Sequence, residues 1–345
     1  MERTVALVGA THPAARALAV ALEADPAVER IVGLSRTEPP LLGPKFEWVK
    51  AADGDRLAAQ VGPAEVVVLF PGLDAGKRDQ EGQGAAALWE ARHVLAGVQQ
   101  SAEGRAVVLW SSGLVYGAHD DNPVPLTEAD PTRPHADFPP GGQLAEIERL
   151  VLGLRGAART VVLRPAPVWA PEWGTLAARW LAGPALLGLR GLDPQVQALH
   201  PDDAAAALAL AVSGNLTGIY NVAPSDSVRA SEAAALTDRR RIVLPEGVAR
   251  TAAERLWGAG AAATPPGELH YLSRPWVLDA ARLRAEGWTP GATTSAALRE
   301  AGAAERDGVA IGRVTVRRGD VVRSVGTAAV TIAMMAGVRR RLRRV

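Results

Sequence analysis

Short, uninterrupted apolar runs alternate with Ala- and Leu-rich helical segments through the first half of this chain. The runs cover residues 5–10, 30–36, 46–50, 65–70, 106–112 and 160–168, and the helical patterns include 14–24 and 83–99. A strand that is apolar along its whole length is covered on both faces, as it is in a parallel sheet with helices on each side. The sequence therefore predicts an α/β fold built on a doubly wound parallel sheet.

The composition excludes several kinds of site. The 345 residues contain no cysteine, which rules out disulfides, thiolate nucleophiles, iron–sulfur clusters and Cys-ligated zinc. The first apolar run begins at residue 5 with no charged and apolar leader before it. We therefore expect no secretory signal and a cytoplasmic location.

The end of the chain is strongly basic. Residues 313–345 contain nine Arg and one Asp, whereas the whole chain has a net charge of +1, so the rest carries about −7. An uncharged, mostly apolar stretch at 324–338 precedes five Arg within seven residues. This pattern favours an apolar helix followed by arginines. We expect the segment 321–345 to bind the anionic surface at the inner membrane face. Packing on the body, a partner protein or a second copy is the alternative, and the acidic body disfavours nucleic acid.

Several motifs occur in the order found in one large superfamily. They are SSGLVYG at 111–117, PLTEADPTRP at 125–134, AEIE at 145–148, HPDD at 200–203 and YNVA at 220–223. Together they resemble the extended short-chain dehydrogenases/reductases, the superfamily of NAD-dependent epimerases and dehydratases, over roughly residues 1–300. The resemblance implies an NAD(P)-binding Rossmann domain at 1–168 and a small C-terminal substrate subdomain at 169–300. Residues 301–345 then form the basic extension.

The acid/base pair that this superfamily uses is missing from the sequence. The resemblance implies a Tyr-x-x-x-Lys pair shortly before the AEIE helix, and those positions hold Pro140 and Leu144. Ser112 stands where the superfamily has the Ser or Thr that orients the substrate, and Tyr116 or a loop histidine is the alternative proton donor. Because prolines and glycines occupy 139–142, we expect the helix to begin near Gln143, with its register through the missing pair lost.

The phosphate-binding loop is also altered. The superfamily pattern G-x-x-G-x-x-G keeps only Gly9, with His12 and Ala15 at the other two glycine positions. The following helix still offers N–H groups and a positive dipole end at its first turn, so Thr11, His12 and Arg16 are candidate nucleotide contacts. The alternative is a strand–turn–helix junction that binds no ligand.

Two further residues bear on the choice of cofactor. Arg36 follows the second strand, where an acidic residue suits NAD and an arginine suits the 2′-phosphate of NADP. Asp53 matches in type an Asp that contacts adenine in the superfamily. If a dinucleotide binds, the sequence therefore predicts NADP rather than NAD. The Asn and Gly of the superfamily's N-x-x-G-T pattern are replaced by Ala87 and Glu90, which removes polar cofactor contacts.

The histidines suggest no metal site. His119 and His135 are expected to face solvent in loops, and His200 with Asp202 and Asp203 resembles a bend that organises subdomain contacts. No further ligand spacing supports a metal at these positions.

These observations leave two functional hypotheses. In the first, the chain is a Rossmann protein with a degenerate active site, which binds a nucleotide or a small apolar ligand and acts as a non-redox scaffold or regulatory subunit. In the second, it is an active NAD(P)-dependent epimerase, dehydratase or reductase with a relocated acid/base. We favour the first, because the pyrophosphate glycine, the Asn and the Tyr/Lys pair are lost together.

Overall fold

The computed structural model describes most of the chain up to residue 316. The described residues are 3–40, 43–51, 54–73, 79–100, 105–154, 159–173, 175–182, 185–260, 262, 265–304, 309–311 and 314–316. Asp53 and the apolar and arginine-rich stretches of the C-terminal extension lie outside these ranges. The membrane and partner predictions for 321–345 therefore stay predictions.

Seven parallel strands form one central sheet. The strands, in chain order, are β1 (Arg3–Val8), β2 (Val28–Ser35), β3 (Phe46–Lys50), β4 (Val66–Leu69), β5 (Ala106–Trp110), β6 (Arg159–Pro165) and β9 (Gly218–Val222). Their spatial order is β3-β2-β1-β4-β5-β6-β9, with every neighbouring pair parallel. The order reverses between β1 and β4, which creates the crevice where doubly wound folds bind ligands. The predicted α/β fold is confirmed.

Helices cover both faces of this sheet. The main ones are α1 (Pro13–Glu23), α2 (Gly54–Val61), α3 (Gln80–Gln99), α4 (Pro139–Leu152) and α6 (Pro201–Ser213). Helices α1 and α6 pack together on one face, while α2, α3 and α4 form the other layer. Val67, Val107 and Val162 point to one layer and Val68, Val108 and Val161 to the other, which explains why these strands are apolar throughout.

Smaller elements form a second region after β6. Its helices are α5 (Leu176–Ala182), α7 (Ala230–Leu236), α8 (Glu246–Gly258), α9 (Leu269–Ser273), α10 (Ala281–Ala285) and α11 (Thr294–Ala304). Its short strands are β7 (Leu186–Leu189), β8 (Gln195–Val196), β10 (Val228–Arg229) and β11 (Arg241–Leu244), followed by the hairpin β12 (Val309–Ile311) and β13 (Val314–Val316). Asp203 ties α6 to this region by accepting hydrogen bonds from the amides of Gly291 and Ala292.

The prediction for the start of α4 was wrong. The helix begins at Pro139 rather than near Gln143, with prolines in its first turn and Gly141 and Gly142 directly after them. The first N–H groups of a helix have no intrahelical acceptor, so proline costs no hydrogen bond there. The helical register through Pro140 and Leu144 is consequently kept, and their side chains lie on the same face of α4.

Candidate functional site

A cavity of about 670 Å³ runs along the carboxyl ends of the parallel strands. It begins at Ser35, Arg36 and Thr37 after β2, passes the β1–α1 loop, and ends among residues of the second region. Its far end is mostly apolar and is lined by Leu114, Phe138, Pro140, Leu144, Trp173, Leu176 and Trp276. The cavity thus occupies the crevice at which the strand order reverses.

Glycine at position 9 is required by the packing of the loop. Gly9 has a φ of +85°, and a Cβ there would lie 2.3 Å from the Phe70 carbonyl oxygen. Only glycine adopts this conformation and tolerates this approach without strain. Gly9 therefore serves the contact between the ends of β1 and β4, and it also lines the cavity.

His12 occupies the place where a phosphate would meet the helix. Its Nδ1 accepts a hydrogen bond of 3.1 Å from the Ala14 amide, so its side chain caps α1. The imidazole also stacks on the Phe70 ring, with 5.6 Å between the ring centroids. The side chain thereby uses one of the N–H groups that bind phosphate at such a helix start.

Burial lowers the pKa of His12 to about 4. The capping bond needs a lone pair on Nδ1, which protonation would remove, so the neutral ring is the form that fits this loop. The first turn of α1 contains no acidic residue that would favour the imidazolium.

We expect the protein to lose stability on acidification because of His12. The folded pKa lies below the unfolded value of 6.5, so the unfolded chain binds more protons as the pH falls from about 6.5 to 4. This difference removes about 3 kcal/mol of the free energy of unfolding at pH 4. Urea unfolding at pH 7 and pH 4 measures it, with His12→Asn as the matched control that keeps a capping acceptor but does not titrate. An equal loss in both proteins would exclude His12 as the cause.

Arg36 and Glu90 form the charged end of the cavity. Arg36 is exposed directly after β2, and Glu90 reaches the cavity from α3. Burial raises the pKa of Glu90, although the positive charge of Arg36 partly offsets that rise. The cavity therefore has one arginine beside a carboxyl group at its β2 end.

The two residues at which the resemblance predicts an acid/base pair line the same cavity. Pro140 and Leu144 are buried side chains of α4, and both contribute to the cavity wall. Ser112 lines it too, and its Oγ accepts a 3.2 Å hydrogen bond from the Leu114 amide at the start of a short 3₁₀ helix, Gly113–Tyr116. Of these three side chains, only Ser112 offers a polar atom to a ligand.

Tyr116 does not line the cavity. Its side chain is fully buried, and its hydroxyl donates a 2.8 Å hydrogen bond to Oδ1 of Asn221 on β9. Burial raises the pKa of Tyr116, which opposes ionisation of the phenol. The guanidinium of Arg164 lies 4.8 Å from the centre of its ring. Tyr116 is thus held in a buried network between β5, β6 and β9.

A buried ion pair lies beneath the site. Arg164 on β6 and Glu148 on α4 are 4% and 3% exposed, and their closest nitrogen and oxygen are 2.6 Å apart. Ser111 donates a short hydrogen bond to the same carboxylate. Glu148 is one helical turn beyond Leu144, so this pair fixes α4 against the sheet directly behind the cavity.

The structure brings most of the predicted cofactor residues together. Gly9, Thr11, His12 and Arg36 all line the cavity, whereas Arg16 is exposed on α1 and is not part of the lining. The sequence analysis missed the wall contributed by Trp173, Arg179 and Trp276, because these residues follow β6 and no motif marks them. The chain has nine Trp against three Tyr and three Phe, and this enrichment is a compositional signal for an aromatic wall.

The expectation that His119 and His135 face solvent was wrong. Both rings are half-buried. They contact each other at a tilt of 37° with centroids 4.3 Å apart, and His135 stacks on His270 of α9 at 3.9 Å. Burial and the neighbouring His270 lower the pKa of His135 to about 4. His119 Nε2 lies 2.7 Å from the Arg133 carbonyl oxygen. This contact brings the two ends of the loop together.

Within the ranges that the structure describes, no helix has the length and apolar character needed to cross a bilayer.

Comparison with known proteins gives relatives of undescribed activity. Uncharacterized protein Rv0501 of Mycobacterium tuberculosis (strain ATCC 25618 / H37Rv) is 29% identical over 311 residues, covering 85% of this chain and 81% of the relative. Uncharacterized protein Mb0513 of Mycobacterium bovis shows the same identity and coverage. No family model matches the chain.

Solved structures share the fold over nearly all of their length. DesIV, a dTDP-glucose 4,6-dehydratase from Streptomyces venezuelae solved with NAD and TYD, has a TM-score of 0.68 at 15% identity, covering 88% of this chain and 97% of that one. Human epimerase family protein SDR39U1 with NADPH has a TM-score of 0.66 at 21% identity, covering 87% and 99%. UDP-glucuronic acid 4-epimerase from Bacillus cereus, with UDP-glucuronic acid and NAD, has 0.65 at 14%, covering 88% and 98%. The fold of the NAD-dependent epimerases and dehydratases is confirmed.

Proposed function

We propose that this protein binds an NADP-type dinucleotide in its cavity and acts as a non-redox binding or regulatory protein rather than as an epimerase or reductase. The observation that carries the proposal is the pair Pro140 and Leu144, two apolar side chains on the cavity face of α4. The superfamily resemblance puts the proton donor and its lysine at these two positions. Neither side chain can move a proton or hold a ribose hydroxyl.

The cavity fits a dinucleotide in its extent and in its charged end. Arg36 stands where a 2′-phosphate is recognised, Gly9 allows the tight turn, and Pro165, Ala166 and Pro167 give an apolar surface where a nicotinamide ring would lie. The phosphate cradle departs from the family pattern, because the His12 ring already takes the Ala14 amide. We therefore expect NADPH to bind this protein more weakly than it binds a Rossmann loop in which the corresponding amide is free to contact phosphate. Once bound, a nicotinamide supplies hydride chemistry, for which this chain offers no proton donor beside the ring.

The residues that remain do not replace the missing pair. The Tyr116 phenol is turned away from the cavity and is hydrogen-bonded to Asn221. Ser112 reaches the cavity, but an alcohol needs a base beside it to exchange a proton at neutral pH. The Glu148 carboxylate, which lies behind the cavity and not in its wall, is occupied by Arg164 and Ser111.

The apolar far end of the cavity supports an apolar group on the ligand. Phe138, Trp173 and Trp276 line this end, and Ser112 adds a hydroxyl group to the lining. We propose that this end holds an apolar ligand or an apolar part of one. A regulatory function of the protein would then depend on whether this end is occupied.

The test is a titration of the full chain with NADPH, NADP, NADH and NAD, followed by a turnover assay with each bound dinucleotide. We expect saturable binding of NADPH and no oxidation of it by carbonyl compounds or nucleotide sugars. Turnover of any such compound would overturn the non-redox assignment. Absence of binding at millimolar dinucleotide would overturn the cofactor assignment and leave the apolar ligand as the occupant to be sought.

Opening the phosphate cradle gives a second check. We expect His12→Gly to strengthen NADPH binding about tenfold, since it returns the Ala14 amide to the ligand and removes a ring from the loop. Glycine is itself an acceptable helix cap, so the loss of the capping bond alone should cost only a few tenths of a kcal/mol. His12→Asn, which keeps a capping acceptor, is the control. Isothermal titration calorimetry of the three proteins measures the difference, and equal affinities would show that phosphate does not approach this helix.

A further inference from the structure

The loop before α4 and the short helix α9 bring three potential metal ligands together. One nitrogen each of His135 and His270 and a carboxylate oxygen of Asp137 all lie within 4.8 Å of one another. His270 Nε2 and Asp137 Oδ2 are 3.0 Å apart, a separation that two ligands of one transition-metal ion can have. These residues are separated by up to 135 positions along the chain, so only the fold assembles them.

One of the two tautomers of His135 suits it to act as a ligand. Its Nε2 lies 2.9 Å from the Ala118 carbonyl oxygen and 3.1 Å from the Ala118 amide nitrogen, and in the tautomer that donates to the carbonyl oxygen the lone pair is on Nδ1. Metal-binding histidines commonly donate their second ring nitrogen to a backbone carbonyl in this way, which fixes the tautomer. The Ala118 carbonyl therefore serves as the outer partner that such a ligand requires.

We propose that His135, Asp137 and His270 form a binding site for a divalent transition-metal ion such as Zn²⁺. Two imidazoles and one carboxylate are a ligand set that zinc accepts, with a fourth position left for water. Asp137 is exposed, so an ion reaches the site from solvent. The two imidazoles are nearly parallel, at 9°, and binding requires them to rotate until both nitrogens point at the ion.

The position of this site links it to the cavity. Phe138 follows Asp137 directly, and its ring lies 5.2 Å from that of Tyr271, the residue after His270. The Tyr271 hydroxyl donates a 2.9 Å hydrogen bond to the Leu114 carbonyl. Phe138 and Leu114 both line the cavity. An ion at the site would therefore link the loop before α4 to α9, the two segments that support this wall of the cavity.

The experiment uses the full chain after treatment with a chelator, titrated with Zn²⁺ and separately with Co²⁺. We expect one ion per chain, a rise in the unfolding temperature with Zn²⁺, and visible absorption bands with Co²⁺ that report its nitrogen and oxygen ligands. Asp137→Asn and His270→Gln should each weaken binding more than about tenfold. Because Asp137 is exposed, Asp137→Asn tests the site without disturbing the core.

The matched control is His200→Gln. His200 also pairs with a carboxylate, with its Nε2 3.1 Å from Glu300, yet it has no third ligand beside that carboxylate in the described part of the chain. Its replacement should leave the one-ion stoichiometry unchanged. No binding by the chelator-treated chain at 100-fold molar excess of Zn²⁺, or equal affinity in the Asp137→Asn and His270→Gln variants, would overturn the proposal.

Discussion

Replacing Arg164 by methionine is expected to lower the free energy of unfolding by about 3–5 kcal/mol. The substitution keeps much of the side-chain volume but leaves the Glu148 carboxylate buried, with Ser111 as its remaining hydrogen-bond donor. A buried charge without its partner costs far more than the intact pair contributes. Urea denaturation at pH 7 measures the loss.

Two variants make this prediction specific. The double variant Arg164→Met with Glu148→Leu removes both charges and should recover most of the loss, because an apolar pair of similar volume suits a buried site. Arg30→Met breaks a surface pair with Glu47, in which the two side chains are 50% and 52% exposed, and should cost less than about 1 kcal/mol. A loss in Arg164→Met no larger than that of Arg30→Met would mean that the pair does not hold α4 against β6.

The sheet was predictable from the sequence because its signal is local. Each buried strand is a continuous apolar run, and each helix between strands carries its own periodicity, so both can be read from short windows. The predicted run 160–168 contains most of β6, and the YNVA motif at 220–223 overlaps β9, which pairs with β6 at the edge of the sheet.

The start of α4 shows where a local rule was applied at the wrong position. Pro139 and Pro140 break a helix in its interior, but at the first positions they fit it. The sequence alone did not show whether these prolines lie in the helix interior or at its first positions. The difference matters for function, since it decides whether Pro140 and Leu144 share a face toward the cavity.

The histidine cluster could not be predicted in the same way. His135 and His270 lie far apart in the sequence, and their stacking depends on how α9 packs against the loop before α4. The capping role of His12 was equally hidden, because it depends on the side-chain rotamer rather than on residue type. Such contacts between distant segments carry no periodic signal, and they account for most of what the sequence analysis missed at the site.

Replacing Arg36 by alanine is expected to weaken NADPH binding by about 2 kcal/mol, or roughly 30-fold, and to leave NADH binding nearly unchanged. A charge-assisted hydrogen bond from a guanidinium to a phosphate contributes on the order of 1.5–3 kcal/mol. NADH lacks the 2′-phosphate and never makes this bond, so its affinity should not change. Arg36 is suited to this role because it is exposed at the carboxyl end of β2 and lines the cavity. Fluorescence titration of each dinucleotide gives both affinities directly.

The neighbouring residues supply the controls for this prediction. Arg16→Ala removes an exposed arginine that follows the same loop but does not line the cavity, so it should change neither affinity. Glu90→Gln removes the carboxyl group near Arg36, and it should strengthen NADPH binding several-fold because the phosphate then meets no negative charge from this side chain. An equal loss of NADH and NADPH binding in Arg36→Ala would instead place Arg36 at a phosphate common to both dinucleotides. The preference for NADP would then have no residue to support it.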